Sequence, residues 1–136
     1  MCGVLQHLAA TGDAAAASTC RLLDFGVGSD AYYITMPLYR ASLRQWRVRH
    51  GELNSAVPLA RRLPLYMRIY EATLAAVAAV SAAGVVHFDL KCDNILLEAR
   101  EGSLDSLFWD PPLGHGPPPF RCVVGDFGEA VLCGRG

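Results

Sequence analysis

A chain of 136 residues, 52% hydrophobic and 18% charged, holds material for one domain or part of one, and its apolar content argues against a disordered tail. A formal net charge of -1 and a pI near 6.4 give no basic field of the kind that draws proteins onto nucleic acid or acidic membranes, so neither partner is expected. Cys2, Cys20, Cys92, Cys122 and Cys133 are odd in number and none stand in C-x-x-C spacing, which points away from a zinc site and toward a reduced, intracellular, cytoplasmic chain.

No basic residue precedes Arg21, so the N-terminus lacks the charged opening of a secretory signal. Residues 1–10 can close a helix, and the small residues Gly12 to Ser18 suit a loop. Cys20 to Phe25 and Ala31 to Met36 are strand-like runs separated by Gly26-Val27-Gly28-Ser29-Asp30, which is turn chemistry, and together they predict a β-hairpin. Pro37 then limits pairing. Ser42 precedes a short helical stretch on which Arg40, Arg44 and Arg47 fall on one face, read as a solvated face rather than an anion site.

The spacing predicts a long helix over Leu65 to Ala83, with Pro64 before it and Gly84 after it. Tyr66, Ile69, Tyr70, Thr73, Val77 and Val80 recur at three- and four-residue steps and form an apolar stripe that must meet a partner. The longest apolar run, Ala72 to Val86, falls short of the roughly 20 residues a membrane-spanning helix needs, so a buried helix is expected. Ile95-Leu96-Leu97 and Arg121 to Gly125 read as a strand pair. Between them, Ala99 to Phe120 is rich in proline and glycine and reads as a surface insertion; its 109–120 portion is a candidate ligand for a proline-binding domain.

Chemistry concentrates in two places. His87-Phe88-Asp89-Leu90-Lys91-Cys92-Asp93-Asn94 follows the long helix, and Asp126-Phe127-Gly128 follows the second strand. In order and in setting these resemble the protein-kinase catalytic loop H-x-D-L-K-x-x-N and the metal-binding D-F-G triplet. Two look-alikes fall outside that setting. Asp24-Phe25-Gly26 precedes the loop within a strand and turn, and Gly26 to Ala31 fits a loose G-x-G-x-x-A pattern but is followed by a strand where a dinucleotide site needs a helix.

The resemblance implies an α+β fold, a partial protein kinase-like domain: 1–36 the end of the small lobe, 37–42 the hinge, and 43–136 the start of the mainly helical large lobe with an insertion at about 99–120. It implies a protein serine/threonine kinase using ATP and Mg2+, with a protein substrate. Asp89 would orient the substrate hydroxyl and accept its proton, and Lys91 would stabilise charge on the transferring phosphate. Asn94 and Asp126 would hold magnesium, and His87 would support the loop. Met36 would stand as gatekeeper, with backbone groups of Pro37 and Tyr39 binding adenine. Lys91, in place of the alanine or arginine common in tyrosine kinases, favours a Ser/Thr acceptor. Aminoglycoside and choline kinases share a related loop but typically lack the Leu-Lys pair and the Phe-Gly after the metal aspartate.

The same resemblance exposes what the chain does not carry. Lys91 is its only lysine, so no second lysine grips the nucleotide's phosphates, and the first glutamate, Glu52, lies past the hinge. The glycine-rich loop and activation segment are not represented, so about half of a kinase domain is present. The isolated chain is therefore expected to be marginally folded and inactive. Phe88 replaces the arginine that usually reads activation-loop phosphate, so phosphate dependence through that contact is not expected. The alternative is a pseudokinase or truncated, non-catalytic binding module using the proline-rich insertion.

Overall fold

In a computed structural model, which describes residues 1–99 and 120–133, helices and strands are mixed along the chain. Two helices, α1 (Cys2–Thr11) and α2 (Asp13–Ala17), come first, followed by a hairpin of β1 (Asp24–Val27) and β2 (Tyr32–Thr35). Then come β3 (Ala41–Ser42), α3 (Leu43–Leu53) and the 24-residue α4 (Leu59–Ala82). Four strands complete the order: β4 (Val85–Val86), β5 (Ile95–Ala99), β6 (Phe120–Val124) and β7 (Val131–Leu132). The architecture is α+β. The proline- and glycine-rich 100–119 stretch, including most of the candidate proline-rich ligand, lies outside the described residues.

The predicted hairpin forms, with β1 and β2 antiparallel and Asp24 opposite Thr35; the look-alike Asp24-Phe25-Gly26 is strand. Gly28 N donates to Ala31 O across the turn. The predicted pairing of β5 with β6 also forms, and β3 adds to the outer edge of β5. Residues 18–20 run beside β6: Val124 N donates to Ser18 O and Cys20 N donates to Val124 O, both at 2.8 Å. That short parallel contact fastens the N-terminal helices and the hairpin to the sheet.

Three expectations need correction. The Gly12 to Ser18 stretch is largely the helix α2, because its alanines are the best helix formers and little opposes them once Ala15 is buried. The long helix starts at Leu59, with Pro58 as its N-cap, and Pro64 sits inside it. Leu59 to Leu63 are helix formers that Pro58 already starts, so the one backbone bond Pro64 cannot donate does not end the helix. Finally, Arg40 precedes β3 and does not share α3 with Arg44 and Arg47. Ser42 caps α3 reciprocally: its hydroxyl accepts from Gln45 N, and its own N–H donates to Gln45 Oε1.

Because α4 exceeds the apolar run visible in the sequence, it is long and apolar enough to cross a membrane by length and composition, with a mean hydropathy of 1.2 over its most apolar window. Here Leu65, Ile69, Ala76 and Val80 turn one face of it into the core, where it packs against β6. Trp46 of α3, Phe120 of β6 and Leu97 of β5 are completely buried in the same cluster. Trp46 meets Phe120 edge-on at 5.3 Å, joining α3 to the sheet.

This core positions two connections side by side. The β4–β5 connection holds residues 87–94, and the β6–β7 connection holds residues 125–130. Ile95 is paired with Val124 and Val86 with Val131, so each end of one connection is pinned beside an end of the other.

Candidate active site

His87 begins the first connection and is buried. Its Nε2 lies 2.8 Å from Gly125 O, and its Nδ1 accepts from Asp89 N at 3.3 Å. The Asp89 N–H can only donate, so Nδ1 is the accepting nitrogen and Nε2 carries the proton given to Gly125. One ring thus joins the two connections and orients the turn leading into Asp89. The Phe127 ring, completely buried, packs against the imidazole at a centroid distance of 5.0 Å. At the other end Gly125 N donates to Asn94 O at 2.7 Å.

Asp89, Lys91 and Asn94 converge within the loop. Asp89 Oδ2 accepts from Lys91 Nζ at 2.7 Å and from Asn94 Nδ2 at 3.1 Å, and Asn94 Nδ2 also donates to Asp89 O at 2.9 Å. The hydrogen bond from Lys91 is the main reason the Asp89 carboxyl is held below the usual carboxylate range, against partial desolvation. The reciprocal hydrogen bond from Asp89 raises Lys91, and the charges of Asp89, Asp126 and Asp93 add to it. Lys91 therefore senses carboxylates from both connections, which brings Asp126 into the same electrostatic neighbourhood as Asp89.

Both atoms that Asn94 Nδ2 meets are acceptors, so the amide has one sensible orientation, with Oδ1 as its acceptor end. Asp126 is exposed. Among the described residues no group of three or more His, Cys, Asp or Glu is placed to hold a metal. Two hard oxygen donors, Asn94 Oδ1 and the Asp126 carboxylate, nonetheless suit magnesium, which takes few protein ligands and fills its shell with phosphate and water.

Phe88 and Asp126 have positive φ, 61° and 55°, in a region that residues with side chains rarely enter. Phe88 immediately precedes Asp89, and Asp126 is itself the candidate magnesium ligand. Phe88 is 73% exposed, so burial of its ring does not account for this backbone. Buried Cys20 sits under Asp126: burial pushes its thiol pKa up, and a hydrogen bond with the Asp126 backbone opposes that rise.

Met36, Pro37 and Tyr39 lie on a different stretch, between β2 and β3. Met36 is exposed, and Pro37 and Tyr39 are half-buried. Tyr39 is held by Arg21 N donating to its hydroxyl at 3.1 Å, and burial pushes its phenol pKa up. The pairing of Ala41 with Leu97 and Ser42 with Leu96 leads this stretch to β5, the central strand that directly follows Asn94.

One contact was not legible in the sequence. Arg44, read as part of a solvated face, reaches Asp93 Oδ2 at 3.3 Å, and its N–H donates to Cys92 O at 3.2 Å. The first turn of α3 thereby braces residues 92 and 93 of the β4–β5 connection. Arg44 and Asp93 are far apart in the chain, and no local pattern links them.

No family model matches the chain. Over 114 residues, 83% of its length, it is 34% identical to a protein of Dictyostelium discoideum described as a probable serine/threonine-protein kinase. The chain spans 4% of that protein's length.

Proposed function

We propose that this chain carries the catalytic and metal-binding segments of an ATP- and magnesium-dependent protein serine/threonine kinase, as part of a protein kinase-like domain. The supporting observation is the joining of residues 87–94 to residues 125–130 through His87 and Gly125, with Asp89, Lys91 and Asn94 hydrogen-bonded together beside Asp126. The likeness to the Dictyostelium protein agrees with this reading.

Phosphoryl transfer asks a protein for alignment and charge neutralisation more than for covalent chemistry. Asp89, kept ionised by Lys91, accepts the proton of an incoming serine or threonine hydroxyl. Lys91 swings between Asp89 and the transferring phosphate, placing positive charge where negative charge spreads. Asn94 Oδ1 and Asp126 hold magnesium, which when bound neutralises and orients the phosphates. Backbone groups of Pro37 and Tyr39, with Met36 beside them, hold adenine; proline suits the first position because only its carbonyl is used.

The free state of all five cysteines supports an intracellular location. A second reading is a pseudokinase or truncated, non-catalytic binding module.

The test is transfer of labelled phosphate from Mg-ATP to protein by the longer polypeptide that contains this chain. Asp89→Asn should lower the rate by about 10²–10⁴-fold. Asp126→Ala should abolish magnesium-dependent nucleotide binding, and alanine substitution of activation-segment hydroxyls should leave the rate nearly unchanged because Phe88 offers phosphate no donor. A parent with no transfer, whose nucleotide binding ignores Asp126, would support the binding module instead. The isolated chain should transfer no phosphate.

A further inference from the structure

Arg44 stands in the first turn of α3 and holds two consecutive residues of the β4–β5 connection. Its main-chain N–H donates to Cys92 O at 3.2 Å, and its Nη1 meets Asp93 Oδ2 at 3.3 Å. The start of a helix leaves its first N–H groups without partners inside the helix. Ser42 Oγ satisfies that of Gln45, and the Cys92 carbonyl satisfies that of Arg44, so the helix start and the connection complete each other. Cys92 and Asp93 are in turn the two central residues of a tight turn, closed by Asn94 N donating to Lys91 O at 2.9 Å.

The two ends of that turn are the polar groups gathered around Asp89: Lys91 Nζ and Asn94 Nδ2 both donate to Asp89 Oδ2. The backbone torsions of its two central residues set how Lys91 and Asn94 face each other, and those are the residues Arg44 holds. We infer that Arg44 is a positioning residue, which fastens the 92–93 turn to α3 and thereby fixes where Asn94 presents its side-chain oxygen to magnesium relative to Asp89 and Lys91. This inference rests on the kinase reading of the site.

Charge supplies a second reason. Lys91 is the chain's one lysine, and the negative charge of Asp93 reaches it as well as that of Asp89. Without a partner of its own, Asp93 would compete with Asp89 for Lys91; Arg44 engages it instead. The Arg44 and Asp93 side chains are solvent-accessible, and an exposed ion pair by itself adds little to stability. The effect of the pair therefore falls on the magnesium response and not on the thermal midpoint, which separates positioning from a merely structural role.

The experiment measures phosphate transfer against free magnesium, at fixed ATP, in the longer polypeptide that contains this chain. Arg44→Gln and, separately, Asp93→Asn should raise the magnesium concentration for half-maximal rate by about tenfold, the scale on which groups that orient metal ligands act, with the thermal midpoint unchanged. Arg44→Lys keeps both the charge and the main-chain bond and should stay near the parent. Exchanging the pair, Arg44→Asp with Asp93→Arg, should recover most of the magnesium response that Arg44→Asp alone loses. An unchanged magnesium response in Arg44→Gln and Asp93→Asn, or an exchange no better than Arg44→Asp alone, overturns the inference. So does a lost rate that only follows a fallen thermal midpoint. In each of these cases a rate that still depends on Asp89, read from Asp89→Asn, leaves the kinase reading in place. Transfer that is absent from the parent, or indifferent to Asp89→Asn, overturns the kinase reading and this inference with it.

Discussion

The Nε2 of His87 donates to the main-chain oxygen of Gly125 across 2.8 Å, tying the start of one site segment to the residue just before Asp126. Both partners are buried, so water cannot replace the bond if it is lost. His87→Ala should therefore destabilise the chain by about 1–3 kcal/mol, the cost of leaving the Gly125 carbonyl unsatisfied. Urea denaturation measures this, and a loss within error of zero would show that the bond does not join the two connections.

Gly125 itself leaves no room for a side chain. A Cβ there would lie 2.7 Å from Leu96 Cδ1 and 3.1 Å from Leu96 Cγ. Gly125→Ala should cost about 1–3 kcal/mol through overpacking, and Leu96→Ala in the same chain should recover part of that cost by opening space. A double-mutant cycle should show favourable coupling of at least about 0.5 kcal/mol, and simple additivity would refute the crowding.

The pH dependence of stability should carry a signature of His50. Its ring is buried, stacks on Trp46 at 4.7 Å, and has Nδ1 3.1 Å from the Tyr66 hydroxyl. Burial lowers its pKa, aided by the charge of Arg62. The unfolded chain, with an ordinary value of about 6.5, therefore binds more protons than the folded chain as pH falls. The resulting stability is complete above about 6.5 and is lost as pH falls through the lower folded value. Urea midpoints between about pH 7 and pH 5 should fall less in His50→Phe, which keeps the stack, than in the parent sequence; equal slopes would place the dependence elsewhere.

Asp89 and Lys91 should titrate as a pair. The hydrogen bond between them lowers the first and raises the second. The Asp89 contribution to stability is present above the ordinary value of about 3.9 and is lost as pH falls through the folded value. The Lys91 contribution is present below about 10.4 and is lost as pH rises through the folded value. Both side chains are solvent-accessible, so the stability change is small and the titration itself is the better readout. Carboxyl carbon shifts should show Asp89 returning toward the ordinary range in Lys91→Met. An unmoved midpoint would mean that the bond is not formed in solution.

How much of this was legible in advance depends on the range of the signal. The hairpin of β1 and β2, the pairing of β5 with β6 and the short helix after Ser42 rest on turn residues or short apolar runs visible directly in the sequence, and all three appear. The start of α4 differs from the sequence expectation because Pro64 reads as a boundary, whereas an earlier proline, Pro58, already begins the helix. Gly12 to Ser18 differs from the expected loop because small residues suit loops and helices alike, and the burial of Ala15 selects the helix.

The order of residues alone singled out the side chains proposed to carry chemistry: an acid, a lysine and an amide within one short segment, and a second acid within another. Covalent connectivity sets that spacing before any folding occurs. Which partners those groups find was decided by the tertiary structure. The pairing of Ile95 with Val124 and Val86 with Val131 brings the two segments together, and the Arg44–Asp93 contact forms only once α3 has packed on the sheet. Strand register and side-chain contact are cooperative outcomes of burying one shared core, and no short window of sequence contains them.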